Sequence, residues 1–250
     1  MDTLEGKKVL ITGASRGIGA AAARLCVEKG ARVVAHASQL SPAADAVRDV
    51  VMPAGGNMAL EDLAEPGAGA RLVACAVDAV GGLDVVVNNA GVYLPTPLDG
   101  PDAEWDVGWA ATLSINVKAP ADICRAAVAH FRQKGGGRII NIASRAAYRG
   151  DGVDHAGYAA SKAAVNAMTK TLARGLSGEN ILVYAIAPGW VETRMAPQDI
   201  ANRAAAVKDI PLGRVAQPEE VAAMIAFLAS DACPSATGST FDINGASYVR

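Results

Sequence analysis

The chain has 250 residues, of which 51% are hydrophobic and 4% are aromatic, and its formal net charge is −2 at pH 7. That length can bury a large core, and the near-neutral charge lacks the basic surface that nucleic acids or acidic membranes require. The first residues, MDTLEGKKVLITG, lack a signal-peptide pattern and no apolar run approaches the ~18 residues of a membrane span, so we expect a cytoplasmic protein with neither partner.

Short apolar runs alternate with helix-like segments along the whole chain. Their patterns predict strands at residues 8–12, 32–36, 58–63, 83–88, 138–143, 182–187 and 240–243. Helices are predicted from the turn after the first strand to about residue 29, at 41–50, 68–80 and 103–132, around Tyr158, and at 218–230. Continuous Val/Ile/Leu strands alternating with helices are typical of a parallel sheet covered on both faces. We therefore expect one α/β domain over residues 1–250, a doubly wound Rossmann-type fold with a mostly parallel sheet flanked by helices.

The turn after the first strand reads TGASRGIG and contains three glycines, Gly13, Gly17 and Gly19. Glycines at this point let the backbone turn sharply and approach a pyrophosphate, while the following helix N-terminus offers free N–H groups. The spacing is GxxxGxG rather than the GxGxxG of the general dinucleotide motif. An ordinary glycine-rich loop is the alternative, but the position directly after the first strand favours a dinucleotide site.

The end of the second predicted strand bears on which dinucleotide binds. NAD-preferring sites usually carry an acidic residue there that bonds the ribose 2′-hydroxyl. This strand ends instead in Ala35-His36-Ala37-Ser38, with no carboxylate to repel a 2′-phosphate. Arg16 could pair with that phosphate and His36 and Ser38 could add hydrogen bonds, although Arg16 could also be a solvated loop residue. NADP(H) is therefore favoured, and NAD(H) stays an alternative.

The stretch GYAASKAAV places Tyr158 and Lys162 four residues apart in a predicted helix. Residues at this spacing lie on one helix face, so the two side chains should be neighbours. A cation beside a phenol lowers the phenol pKa from its ordinary value of about 10 and would make a proton donor for neutral pH. A chance pair is the alternative, since YxxxK alone is a weak signal.

The four cysteines and three histidines are scattered along the chain, with no CxxC or Cys/His cluster. Such spacing predicts free thiols and no metal site.

Together these features resemble the classical short-chain dehydrogenase/reductase family over essentially the whole chain. The motifs that carry the resemblance are TGASRGIG (12–19), the aspartate of LEDL, NNAG (88–91), the asparagine of SINV, the serine of INIAS, YAASK (158–162), PGWVET (188–193) and GSTFDINGA near the C-terminus. The pattern, including IPLGRVAQPEEVA (210–222), is similar to that of 3-oxoacyl-thioester reductases. Many sugar, polyol, steroid and simple alcohol dehydrogenases share it.

The resemblance implies roles for particular residues. It implies that Ser144 polarises a substrate carbonyl, Tyr158 donates a proton to it, Lys162 lowers the pKa of that tyrosine and holds the ribose, and Asn116 anchors a water for proton resupply. It also implies that Asp62 contacts adenine. The residues expected to bind cofactor are Gly13, Ser15, Arg16, Gly17, Ile18, Gly19, His36, Ala37, Ser38, Asp62, Leu63, Asn89, Ala90, Gly91, Tyr158, Lys162, Pro188, Gly189, Val191 and Thr193.

The resulting expectation is an NADP(H)-dependent oxidoreductase that moves a hydride between nicotinamide and a small-molecule ketone or secondary alcohol. NAD-linked oxidation of a sugar, polyol or alcohol is one alternative, and a non-catalytic dinucleotide-binding protein is another. The resemblance also implies a homotetramer. Docking of an acyl-carrier protein would require a basic patch, for which Arg125, Arg132, Lys134 and Arg174 are candidates.

Three segments are the expected walls of the substrate pocket: residues 93–95, 145–155 and 190–211. Within them Arg145, Arg149 and His155 suggest a polar or anionic substrate. Arginines in loops are commonly solvated, however, and His155 could instead line the start of the Tyr158 helix.

Overall fold

Seven strands form one sheet in the computed structural model, which describes residues 3–196 and 199–250. Every strand pair within these ranges is parallel. The strands are β1 (Lys8–Ile11), β2 (Arg32–Ala37), β3 (Asn57–Leu60), β4 (Val85–Asn88), β5 (Gly137–Ile142), β6 (Ile181–Pro188) and β7 (Thr240–Ile243). The helices are α1 (Gly17–Glu28), α2 (Pro42–Val51), α3 (Ala68–Val80), α4 (Asp102–Leu113), α5 (Ala119–Lys134), α6 (Ala146–Arg149), α7 (Ala156–Leu176), α8 (Ile200–Lys208) and α9 (Pro218–Ala229). The doubly wound α/β fold is confirmed.

The strand order is β3-β2-β1-β4-β5-β6-β7, so the direction in which the sheet grows reverses at β1. Ile11 of β1 pairs with Ala35 on one side and with Val87 on the other. The chain leaves β1 and β4 towards opposite faces of the sheet, which opens a crevice beyond the carboxyl ends of these strands.

The sheet is buried on both faces because its strands are apolar at successive positions. Val9 and Ile11 pack into one core with α1 and α9, whereas Leu10 between them packs into a second core with α3 and α5. This alternation follows the two-residue period of a strand. No helix of the described ranges is both long and apolar enough to span a bilayer.

The third strand is shorter than the sequence predicts, because it ends at Leu60 rather than at residue 63. The Asp62 carboxylate accepts a hydrogen bond from the N–H of Ala64 at 3.0 Å. Such a local side-chain bond favours a turn over continued strand pairing. The shortened strand leaves Asp62 and Leu63 in the loop at the sheet edge, where a ligand would lie.

The single helix predicted over residues 103–132 is wrong in one respect, because a π-helical turn at Ser114–Lys118 separates α4 from α5. Single π turns inside helices are frequent at functional sites.

The segment 190–211 contains a helix that the sequence pattern did not predict. Asp199 caps α8 by accepting a hydrogen bond from the N–H of Asn202 at 2.8 Å. Of this predicted loop, Pro197 and Gln198 lie outside the described residues.

Candidate active site

A cleft of about 990 Å³ lies beyond the carboxyl ends of the central strands. All but one of the predicted cofactor residues line it, together with Ser144, Tyr158 and Lys162. The cofactor residue that does not line the cleft is Gly19. Asn116, the fourth predicted catalytic residue, does not line it either. Tertiary structure therefore brings together segments that are more than a hundred residues apart in sequence.

The glycines of the first loop permit two close backbone approaches. Gly13 has a φ of 62°, and a Cβ there would lie 2.9 Å from the Cα of Ala90. A Cβ at Gly19 would lie 2.4 Å from the carbonyl oxygen of Gly13. Gly19 thus supports the loop from behind and is not itself part of the cleft wall, which corrects its predicted role as a contact residue.

Hydrogen bonds join the glycine loop to the turn after β4. The Thr12 hydroxyl accepts from the N–H groups of Asn89 and Ala90, each at 2.9 Å. The Asn89 amide in turn donates to the carbonyl oxygens of Thr12 at 2.8 Å and of Gly13 at 3.2 Å. Sequence analysis did not single out Thr12, although a polar residue ending an apolar strand was the available signal.

His36 is a structural residue, contrary to the prediction that it could bond a 2′-phosphate. Its side chain is buried, and its Nδ1 accepts a hydrogen bond from the N–H of Gly13 at 3.1 Å. The other ring nitrogen must then carry the proton, and it donates to the carbonyl oxygen of Glu61 at 2.8 Å. Burial lowers the pKa of His36, which keeps the ring neutral. With both nitrogens engaged, His36 holds the glycine loop against the ends of β2 and β3.

The exposed side chains at this end of the cleft include those of Arg16, Ser38 and Asp62. Arg16 directly precedes α1 in an extended conformation, with a φ of −159°. Asp62 and Leu63 line the same region from the loop after β3. The tip of β2 itself carries no carboxylate, as the sequence indicates.

Ser144 and Tyr158 meet at the opposite end of the cleft. Ser144 follows β5 and Tyr158 lies in the first turn of α7, and the Ser144 hydroxyl is near enough to affect the pKa of the phenol. Desolvation raises the pKa of Tyr158, the Ser144 hydroxyl lowers it, the charge of Asp151 raises it, and the net pKa is about 12. The phenol is therefore protonated throughout the neutral range.

Lys162 lies one turn further along α7 and is 5% exposed. Its Nζ donates to the carbonyl oxygen of Ile142 at 2.9 Å and lies 5.7 Å from the centre of the Tyr158 ring. Burial lowers the pKa of Lys162 to about 8. Lys162 is not among the groups that shift the Tyr158 pKa, and burial of the phenol raises that pKa, so the predicted lowering by Lys162 is wrong for this structure.

Asn116 lies in the π-helical turn and its side chain is bonded within the protein. Its Oδ1 accepts from the N–H of Val92 at 2.8 Å, and its Nδ2 donates to the carbonyl of Val92 and to the Ser161 hydroxyl, both at 3.0 Å. A Cβ at Gly91 would lie 3.2 Å from Asn116 Oδ1 and 3.5 Å from Lys162 Nζ. Glycine at this position keeps the space between those two groups free of a side chain.

The segment after β6 forms the remaining wall. Pro188, Gly189, Val191 and Thr193 all line the cleft, and a Cβ at Gly17 would lie 2.9 Å from Thr193 Cγ2. The glycine loop and this segment are therefore in contact across the cleft.

Aromatic rings form the wall next to Tyr158. The Tyr93 and His155 rings stack with centroids 3.9 Å apart, and Tyr93 meets the Tyr158 ring edge-on at 4.7 Å. The Tyr93 hydroxyl donates to Asp151 at 3.3 Å. Stacking against Tyr93 gives His155 a packing role at the start of α7. Asp151 was not named by sequence analysis, and no motif marks it.

Residues 13–246 match the family model described as enoyl-(acyl carrier protein) reductase. The chain is 36% identical over 247 residues to a 3-oxoacyl-[acyl-carrier-protein] reductase of Vibrio cholerae, covering 98% of this chain and 99% of the relative. It is also 38% identical over 251 residues to a 3beta-hydroxysteroid dehydrogenase of Eggerthella lenta, covering 98% and 94%.

Among solved structures, the chain is similar to a short-chain dehydrogenase from Burkholderia cenocepacia determined in complex with NADP. The TM-score is 0.90 at 34% sequence identity, with 98% of each chain covered.

Proposed function

Because the chain belongs to the short-chain dehydrogenase/reductase family, we propose that it is an NADP(H)-dependent oxidoreductase acting on a ketone or the corresponding secondary alcohol. The observation that carries the proposal is that Ser144, Tyr158 and Lys162 line the same cleft, with Lys162 one helical turn from Tyr158. A protein that only binds dinucleotides has no need of this group.

The cleft fits a dinucleotide. Glycine at positions 13 and 19 lets the loop pack closely on the backbone around it, and the N-terminus of α1 would present free N–H groups to a pyrophosphate. Asp62 and Leu63 would flank the adenine, and Val191 and Thr193 would hold the nicotinamide carboxamide. Contact between Gly17 and Thr193 supports one continuous ligand path between these ends.

Selection of NADP(H) rests on Arg16 and Ser38. Both lie at the adenine end of the cleft, and no carboxylate occurs at the tip of β2. A guanidinium suits a 2′-phosphate because it presents several donors in a fixed plane. The similar Burkholderia cenocepacia enzyme was solved with NADP, which supports the same choice here.

The protein's own groups supply the proton chemistry of ketone reduction. When bound, the nicotinamide supplies the hydride. Ser144 Oγ would donate a hydrogen bond to the carbonyl oxygen, and Tyr158 Oη would transfer its proton to the same oxygen. General acid catalysis of this kind contributes about 10²–10⁴-fold.

Proton resupply would pass from Lys162 towards Asn116. The side-chain-free position Gly91 lies against both groups, which leaves room there for a bridging water. The bonds from Asn116 to Val92 and Ser161 would hold the π turn in place beside that water.

A 3-oxoacyl thioester is the first substrate class to test, because several similar proteins carry that name. The Eggerthella lenta relative makes a hydroxysteroid the second. Two cations of the candidate carrier-docking patch are already paired, Arg132 with Glu179 and Lys134 with Asp84. That pairing weakens the case for docking of an acidic carrier protein.

We also propose that residues 1–250 act as one catalytic domain, in a cytoplasmic homotetramer. The experiment for the tetramer is the mass in solution by light scattering, and a monomer at micromolar concentration would contradict it.

Turnover assays with the purified chain test the function. We expect NADPH to be oxidised with acetoacetyl-CoA or a ketosteroid, and to bind more tightly than NADH. Tyr158→Phe should abolish turnover while NADPH binding is retained, whereas undiminished activity in that variant would refute the proposed acid. Crotonyl-CoA tests the enoyl reduction named by the family description, and preferential use of it would place the chemistry at a C=C bond instead.

A further inference from the structure

Arg145 directly follows Ser144 and lines the same cleft. Its backbone N–H donates to the carbonyl oxygen of Pro188 at 2.9 Å, and its side chain packs below Gly189, where a Cβ would lie 3.5 Å from its Cδ. The side chain is only 11% exposed. Arg145 is therefore a held, largely buried cation rather than a solvated loop arginine.

The guanidinium of Arg145 is not fully satisfied by the surrounding protein. Its Nη1 is buried and makes no hydrogen bond to any described residue. The nearest carboxylate oxygen is Asp209 Oδ2 at 3.8 Å, too far for a hydrogen bond. A buried charged donor without an acceptor is costly, and a ligand that supplies the acceptor would remove that cost.

The two carboxylates near Arg145 already have partners. Asp209 accepts from Arg149, and this bond holds the pKa of Asp209 below its usual range. Asp151 accepts from the N–H of Gly152 at 2.8 Å and from the Tyr93 hydroxyl. Both carboxylates therefore already accept from other donors, and the buried Nη1 of Arg145 has no acceptor among the described residues.

We propose that Arg145 binds a carboxylate of the substrate, so that the preferred substrates are oxo acids or the corresponding hydroxy acids. This inference rests on the proposed function, because Ser144 and Tyr158 would hold the carbonyl oxygen while the adjacent Arg145 holds the acid. The planar guanidinium fork matches a carboxylate in two parallel hydrogen bonds. Asp209 would compete with the substrate for this arginine.

Matched pairs of acids and methyl esters test the inference. Pyruvate, acetoacetate and levulinate place the ketone progressively further from the carboxylate, and each methyl ester removes only the charge. With NADPH saturating, the wild-type protein should show a higher kcat/KM for the acid in at least one pair. Arg145→Met should lower the acid-to-ester ratio on the order of 10- to 100-fold, chiefly through KM, because a hydrogen-bonded charge pair is lost.

Three further variants separate recognition from folding. Arg145→Lys keeps the charge without the fork and should give an intermediate ratio. Asp209→Asn removes the competing carboxylate and should raise the ratio. Arg132→Met removes a guanidinium that pairs with Glu179 outside the cleft, and it should leave the ratio unchanged.

The inference is overturned if the wild-type protein prefers the ester in all three pairs, or if Arg145→Met lowers acid and ester turnover equally. Binding separates this failure from failure of the proposed function. If no carbonyl compound is reduced, levulinate and methyl levulinate are compared by thermal shift in the presence of NADP⁺. Stabilisation by levulinate alone, lost in Arg145→Met, would uphold the carboxylate site and leave only the reductase proposal refuted. Equal responses would overturn both.

Discussion

Lys162→Met is expected to stabilise the protein while it destroys activity. The lysine is 5% exposed, and burial lowers its pKa from 10.5 to about 8. The protein therefore holds a cation in surroundings that disfavour its charge. Residues retained for function at the cost of stability are a recurrent feature of active sites.

The structure sets the size and the pH window of this effect. A folded-state pKa of about 8 against 10.5 when unfolded corresponds to about 3 kcal/mol. Because the folded-state value is the lower one, stability is lost as pH falls from 10.5 through 8 and the loss is constant below that. Methionine removes the penalty but leaves the Ile142 carbonyl without its donor, which costs about 1 kcal/mol. The net gain at pH 7 is about 2 kcal/mol, reversing to a small loss above pH 10.5.

Urea unfolding of the wild type and the variant from pH 6 to pH 10, without added nucleotide, measures this difference. Lys170→Met is the matched control, since it removes an exposed lysine from the same helix. It should show no comparable trend. A stability difference for Lys162→Met that is independent of pH, or a loss of stability at pH 7, would refute the reasoning.

Three further perturbations have expected outcomes of their own. Gly13→Ala should weaken NADPH binding in titrations and lower stability in calorimetry, in both cases more than Gly17→Ala does. The new Cβ at position 13 would meet the Ala90 backbone, whereas the one at position 17 would meet the movable side chain of Thr193. Equal effects of the two variants would contradict this. His36→Leu should raise the KM for NADPH and leave kcat nearly unchanged in steady-state assays, since the ring bonds Gly13 and Glu61 and none of the proposed catalytic groups. A fall in kcat alone would argue against that role. Glu220 has a folded-state pKa of about 2, so the stability that its carboxylate contributes is present above pH 4.5 and is lost as the pH falls towards 2. Glu220→Gln should remove that contribution. The unfolding free energies of wild type and variant should therefore differ at neutral pH and converge near pH 2.

The fold could be predicted from sequence because its cause is local and repeated. Runs such as 85–87 are apolar at every position, which only a sheet covered on both faces can bury. The helix boundaries that were predicted incorrectly depend on contacts with other parts of the chain. The π turn at Ser114–Lys118 is accompanied by bonds from Asn116 to Val92 and Ser161, which no helical periodicity reveals.

Within the site, the motifs predicted which residues line the cleft but not the state of each group. His36 looked available to a ligand until the structure placed Gly13 and Glu61 against its two nitrogens. Arg145 looked like a solvated arginine, yet it is buried with an open donor. Hydrogen-bond partners and burial come from segments distant in sequence, so these properties are not encoded in any single motif.

The sequence alone determined the order of the seven strands, the glycine loop, and the pairing of a tyrosine with a lysine one helical turn later. Those features follow from backbone sterics and short-range periodicity, which a residue and its near neighbours specify. Only the tertiary structure decided that burial raises the pKa of Tyr158, and that the buried Nη1 of Arg145 has no hydrogen-bond acceptor among the described residues. Burial and charge interactions depend on the whole packed environment, and that environment exists only after the chain has folded.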